Sequence, residues 1–322
     1  MQTEHQVKTG IRALLVGCMA GGALMCHSVN CQTATAGMPA KVRTFTMPAV
    51  PPEIVSVSER ADYLAAHYWD LFDFADTAYI HLPEVTEQAF VDYLSILPYA
   101  SGPAAREQSV RQLLAGAEGE ESGRMYGFFL EILAKYLHEP NSPFRDDELY
   151  IPVAHYLIAD AHSGEAEKIR MRYTLKGLLK NRPGTVAADF AYVLPDGRQG
   201  RLHDIAADCT LLMFYNPDCH ACGEIIASIR QSSAIRRLTA DGKLAILLFY
   251  PDEDVEIWKA HWADIPKDWI NGYDRQLKVK NSEIYDLRAI PSLYLLGRDK
   301  TVLLKDVNFD RLERFLTENF GK

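Results

Sequence analysis

"MFYNPDCHACGEII", residues 213–226, sets two cysteines two residues apart where a hydrophobic run gives way to helical spacing. Three readings of Cys219-His220-Ala221-Cys222 are open: a redox pair, half of a metal site, or chance. The flanks narrow the choice. "CTLLMFY" (209–215) is apolar and β-rich, as a buried strand requires. "HACGEIIASIRQSSAIRRL" (220–238) carries Ile225, Ile226, Ile229 and Leu238 on a helical period, which predicts one helix. A cysteine at a helix N-terminus meets unpaired backbone N–H groups and the positive end of the macrodipole, both favouring thiolate. Cys219 can then attack a disulfide. Cys222, one turn later on the same side, can reach back and resolve the mixed disulfide.

Outward from the pair, strands and helices alternate. "ADFAYVLPDGRQGRLHDI" (188–205) alternates about a Pro-Asp-Gly turn, a hairpin signal. "KLAILLFY" (243–250) predicts a second buried strand and "DEDVEIWKAHW" (252–262) a second helix. A short segment, "DWINGYD" (268–274), leads to a predicted helix around "NSEIYDL" (281–287) and then to Ile290-Pro291. "SLYLLGRDKTVLLKDV" (292–307) reads as two strands joined at Arg298-Asp299-Lys300, and "FDRLERFLTENF" (309–320) as an amphipathic helix. Together these imply a mixed sheet covered by helices.

At these residues the chain resembles the exported bacterial thioredoxin-fold thiol–disulfide oxidoreductases, over 185–322. The likeness rests on "ADFAYVLPDGRQGRLHDI", "LLMFYNPDCHAC" and "AIPSLYLLGRDKTVLL". It implies an α/β thioredoxin fold in which Pro291 is cis and faces the cysteine pair. It also implies that Ile290 offers its backbone to an extended substrate strand, a form of β-augmentation. Pair and proline, about seventy residues apart in an ordered β/α frame, are a far more specific signal than the pair alone. The partners implied are protein thiols and disulfides and a redox partner; no bound cofactor is implied, because the electrons reside in the cysteines.

Two positions depart from the family. Met213 stands where thioredoxin has a buried aspartate, and Ile225 where exported relatives often carry a glutamate. Glu224 is one residue early and points elsewhere on the helix, so the proton acceptor for Cys222 is unfilled. His220, beside Cys219, is read as a tuning charge that stabilises the thiolate; the bland alternative is an exposed first-turn residue. For the cysteines themselves, the alternatives are a structural pair or zinc. Zinc takes four ligands, there is no second Cys-x-x-Cys, and His203 and His220 lack ligand spacing. No metal is expected. The peroxiredoxin signature before the first cysteine is absent, Asn216-Pro217-Asp218 standing there instead. Cys209 is read as a small core residue of its strand.

Residues 56–181 carry helical patterns throughout and predict an all-helical domain, closed by "NRPGT" (181–185). The first helix is expected over "SERADYLAAHYWDLFDFADTAYI" (58–80) with Ser58 as N-cap. Its Tyr68, Trp69, Phe72 and Phe74 read as core, and Glu118, Glu120 and Glu121 as a solvated acidic loop. This half resembles a domain of unassigned function that precedes thioredoxin domains in exported bacterial proteins, and it supplies no chemistry. It leaves open a second function, a partner-binding protein with the thioredoxin fold as scaffold.

The first 36 residues read as a signal peptide. Lys8 and Arg12 precede the apolar "ALLVGCMAGGALMC" (13–26), and Ala34-Thr35-Ala36 offers cleavage after Ala36. The alternative is a lipobox ending at Cys18, which makes a membrane-anchored lipoprotein. Export to the periplasm is expected in both. Residues 37–55 are proline-rich and read as a tether. Of six cysteines only Cys209, Cys219 and Cys222 lie beyond the leader region, too few for a disulfide framework. At 48% hydrophobic and 24% charged residues the 322-residue chain is globular, and its net charge of -9 argues against nucleic acid.

Overall fold

The computed structural model describes residues 42–161 and 163–320. The expected leader, the Ala36 cleavage site and Cys18 lie outside the described residues. The chain falls into two compact units that divide between Tyr136 and Leu137.

In the first unit, α1 (Val57–His67) starts at Ser56, whose hydroxyl accepts the Glu59 N–H at 3.2 Å and donates to the Glu59 carboxylate at 2.6 Å. The cap is therefore Ser56, not Ser58, because Glu59 completes the reciprocal capping pair only from that register. The helix also stops at His67 instead of running to Ile80. At 100° per residue Phe74 would point away from Tyr68, Trp69 and Phe72. Leaving the helix lets all four rings turn inward, with Phe72 and Phe74 centroids 4.9 Å apart and Phe74 5.7 Å from Phe129. The proline-rich stretch is not a free tether at its described end. Phe45 stacks on Tyr68 at 5.0 Å, and Arg43 pairs with Asp76 at 2.8 Å. Helices α2 (Pro83–Ile96), α3 (Pro103–Glu118) and α4 (Arg124–Leu137) complete the unit. The acidic stretch is partly structural: Glu118 ends α3, and Glu120 accepts the Ser122 and Met125 N–H groups.

The second unit opens with helices α5 (Asp147–Ala159) and α6 (Glu165–Leu178), which thus fold with the sheet that follows. The strands are β1 (Ala191–Val193), β2 (Gln199–Arg201), β3 (Cys209–Phe214), β4 (Leu244–Tyr250), β5 (Ile270–Tyr273), β6 (Ser292–Gly297) and β7 (Val302–Lys305). They form one sheet in the order β2-β1-β5-β4-β3-β6-β7. β3, β4 and β5 run parallel; β6 pairs antiparallel with β3 and β7, and the β1–β2 hairpin antiparallel with β5. β5 was not expected as a strand. Its Asn271-Gly272 is a poor β-former, yet a Cβ at Gly272 would come within 2.8 Å of the Tyr192 side chain, so close packing excludes a larger residue.

Side chains alternate across the central strands. Leu211, Met213, Ile246 and Leu248 enter one core, shared with α7 (His220–Gln231), α8 (Ser233–Ala240) and α11 (Phe309–Phe320). Leu212, Phe214, Leu247 and Phe249 enter the other, where Phe190 and Tyr285 join them. The single helix expected over 220–238 is two, because Ser232 leaves helical geometry and caps α8 by accepting the Ile235 N–H at 3.2 Å. α9 (Val255–His261) forms as expected. The helix expected around 281–287 is instead the short α10 (Lys278–Asn281), after which Glu283 adopts positive φ and ends helical geometry. No helix among the described residues is long and apolar enough to cross a membrane.

Candidate active site

β3 delivers the chain into a tight turn. The Asn216 side chain accepts the Asp218 N–H at 3.0 Å, and its carbonyl accepts the Cys219 N–H at 3.1 Å. This turn sets Cys219 at the N-cap of α7 in extended conformation and Cys222 inside the first turn. The two thiols differ sharply in surroundings: Cys219 is half-buried, whereas Cys222 is 1% exposed. Burial pushes the Cys222 thiol well above its ordinary value, with the Asn216 backbone opposing and Cys219 adding to the rise. A buried thiol of this kind is inert until it loses its proton.

The far side of the site comes from the segment before β6. The Cys219 Sγ donates to the Ile290 carbonyl at 3.7 Å, and the Ile290–Pro291 peptide is cis. Four expected site residues, Cys219, Cys222, Ile290 and Pro291, thus stand together. The fifth, His220, is at the surface, its side chain 93% exposed and its Nε2 3.4 Å from Glu224. Glu224 is accordingly engaged outside, away from the buried thiol. Met213 lies wholly in the core, and Cys209 is buried at the start of β3 with its thiol pushed up to about 11 by burial, then by Asp208. No cluster of three or more potential metal ligands occurs among the described residues.

Two supporting arrangements were not anticipated. Tyr215 Oη and Trp258 Nε1 both donate to Asn271 Oδ1 at 2.8 Å, a buried polar knot at the level of Cys222. Arg288, two residues before Ile290, donates to Asp147 Oδ1 at 2.7 Å and pairs with Asp286 at 2.9 Å. Asp147 in turn holds Lys305 at 2.8 Å, and Arg145 pairs with Asp306. His138 accepts from Arg288 at 2.5 Å and stacks on Tyr150. Asp147 reads in sequence as an ordinary first-turn acid of α5, and nothing local marks its partner, 141 positions away.

Comparison with solved structures decides the family. A thioredoxin-like protein from Bacteroides caccae is 42% identical, with 87% of this chain and 100% of that chain covered and a TM-score of 0.76. The chain belongs to the thioredoxin-like proteins. The C-terminal domain of an uncharacterized protein from Bacteroides fragilis is 49% identical over 42% of this thioredoxin-like chain and 98% of its own, with a TM-score of 0.42. A second Bacteroides fragilis protein, of unknown function, is 35% identical over 42% and 98%, with a TM-score of 0.41. Residues 25–181 match a domain of unknown function (DUF5106). No curated protein matches the chain.

Proposed function

We propose that this thioredoxin-like protein is an exported thiol–disulfide oxidoreductase that exchanges disulfides with protein substrates. The observation that carries the reading is the approach of Cys219 Sγ to the Ile290 carbonyl, with Cys222 buried one turn behind it. Cys219, the accessible thiol, attacks a substrate disulfide and forms a mixed disulfide. Cys222 then attacks the Cys219 sulfur, closes the internal disulfide and releases the substrate thiol. Ile290 and Pro291 form the ledge on which an extended substrate strand lies. His220 is the tuning residue beside Cys219, and the reaction needs no bound cofactor. Export is supported by Lys8, Arg12 and the apolar run that follows them.

The roles predict an asymmetry. Cys222→Ser removes the resolving thiol and accumulates mixed disulfides with proteins of the native compartment, while Cys219→Ser traps none. Non-reducing gels of both variants measure it. Equal trapping by the two would remove the assignment of roles. Absence of trapping by either would favour a partner-binding protein on a thioredoxin scaffold.

A further inference from the structure

Resolution by Cys222 requires a base, because its thiol is buried and must ionise before it attacks. The positions that could supply one from nearby do not: Met213 and Ile225 are apolar, and Glu224 faces His220 at the surface. A cavity of about 430 Å³ adjoins Cys222, and its wall includes Tyr215, Asn216, Ile226, Arg230 and His261. Tyr215 is committed as a donor to Asn271, and burial pushes its phenol up, so it takes no proton near neutral pH. Arg230 is a permanent cation that donates to the Asp264 carbonyl. Histidine is the side chain suited to taking and giving a proton near neutral pH.

His261 lies between two carboxylates, Asp264 on its Nδ1 side and Asp218 on its Nε2 side. Its Nδ1 lies 3.2 Å from the Asp264 carboxylate, which can only accept, so this nearer contact favours a hydrogen on Nδ1. In that tautomer Nε2 is left to accept. It stands 3.6 Å from Asp218, beyond a good hydrogen bond. Asp218 directly precedes Cys219, so this imidazole sits beside the cysteine pair and on the cavity that reaches Cys222. The charged and titratable groups around it are Asp218 from the turn before α7, Arg230 from α7 and Asp264 after α9.

We infer that His261, oriented by Asp264, is the proton acceptor for Cys222 across this cavity, whose mostly apolar wall carries Asn216, Arg230 and His261 and which is large enough to admit water. The inference rests on the oxidoreductase reading. In the step, the Cys222 S–H proton passes to His261 Nε2, and the Cys222 thiolate attacks Cys219 Sγ. The Cys219–Cys222 bond forms as the Cys219–substrate bond breaks. The cysteine pair is oxidised by two electrons, the substrate sulfur leaves reduced as thiolate, and the imidazolium proton returns to it through solvent.

The reduced full chain mixed with dithiobis(nitrobenzoate) separates the two attacks. The first release of nitrothiobenzoate reports Cys219, and the second reports Cys222. His261→Gln is expected to slow the second phase roughly tenfold or more near neutral pH and leave the first unchanged. The deficit closes at alkaline pH, where the thiol ionises unaided. Asp264→Ala, which keeps the imidazole but removes the acceptor that orients it, gives a smaller loss of the same phase. Wild-type behaviour of His261→Gln in both phases would overturn the inference, as would a slow second phase that alkaline pH does not restore. Release of only one equivalent of nitrothiobenzoate from the Cys219–Cys222 pair in the wild type would overturn the oxidoreductase reading itself.

Discussion

The two units solve the burial of polar groups differently. Between residues 42 and 136 the buried polar side chains among the described residues, the aromatic ones apart, are two hydroxyls, Thr86 and Ser109, set in a core of stacked aromatics. Thr86 donates to the Tyr79 carbonyl, and Ser109 donates to the Ala65 carbonyl while Tyr93 meets its oxygen at 2.7 Å. From 137 onward the buried set includes Asp147, Asn271, Asp274, Lys300, Lys305 and Asp306. A neutral hydroxyl is satisfied by one or two hydrogen bonds, whereas a buried charge is tolerated only when paired and bonded. The first unit is thus built by packing. The second commits several charges to geometry, and part of that commitment, the Asp147–Arg288 pair, lies two residues from Ile290. The contrast teaches where constraint concentrates: around the ledge opposite Cys219.

The largest effect that tests this contrast is at Asp147. Asp147→Asn leaves the buried Lys305 and the half-buried Arg288 without their shared anion, and the expected loss of stability is about 3–5 kcal/mol. Ser109→Ala in the aromatic core should cost about 1–3 kcal/mol. Urea unfolding of each variant measures both, and equal losses would erase the distinction between the units.

A pH experiment sharpens it. Burial first, and Arg288 second, lower His138 to about 4, so between about 4 and the usual 6.5 the unfolded chain binds the extra proton and stability rises with pH. Burial raises Asp306 to about 6 against Arg145, so from its usual 3.8 to about 6 the folded chain holds the extra proton and stability falls with pH. Asp286, raised by burial, acts in the same direction as Asp306. In the wild type the slopes oppose each other. His138→Gln removes the first, and stability should then fall as pH rises from about 4 to about 6, by up to about 1.4 kcal/mol per pH unit for each such carboxyl. Denaturant midpoints across that range report it; an unchanged pH profile would mean that His138 is not held neutral.

The smallest effect belongs to His220. A neighbouring imidazolium stabilises the reduced pair, but here the ring is exposed and faces Glu224 at 3.4 Å, which offsets its charge. His220→Gly should lower the reduction potential by no more than about 30 mV, equivalent to about 1.4 kcal/mol. Glutathione-buffer titration gives the value. A much larger fall would make His220 the dominant tuning residue.

Much of the second unit was legible because its strands β3, β4, β6 and β7 are continuous apolar runs, the signature of strands buried on both faces. β5 was hidden because Gly272 is selected by the Tyr192 ring and not by β-propensity. The break at Ser232 and the end of α1 at His67 were hidden for a related reason: a capping hydroxyl and four inward-turned rings override a helical period that continues through them. At the site, Cys219, Cys222, Ile290 and Pro291 could be read because a spacing and a proline mark them. Tyr215, Asn271, Arg288 and Asp147 could not, since each is an ordinary residue locally and gains its role from a partner distant in sequence. His261 is likewise unmarked, and only the cavity shared with Cys222 singles it out.

The central claim, that Cys219 starts a disulfide exchange, is tested most directly by reduction of insulin with dithiothreitol, followed as turbidity. Wild-type protein is expected to accelerate precipitation, and Cys219→Ser to return the rate to that of dithiothreitol alone. Acceleration by Cys219→Ser equal to that of the wild type would contradict the account.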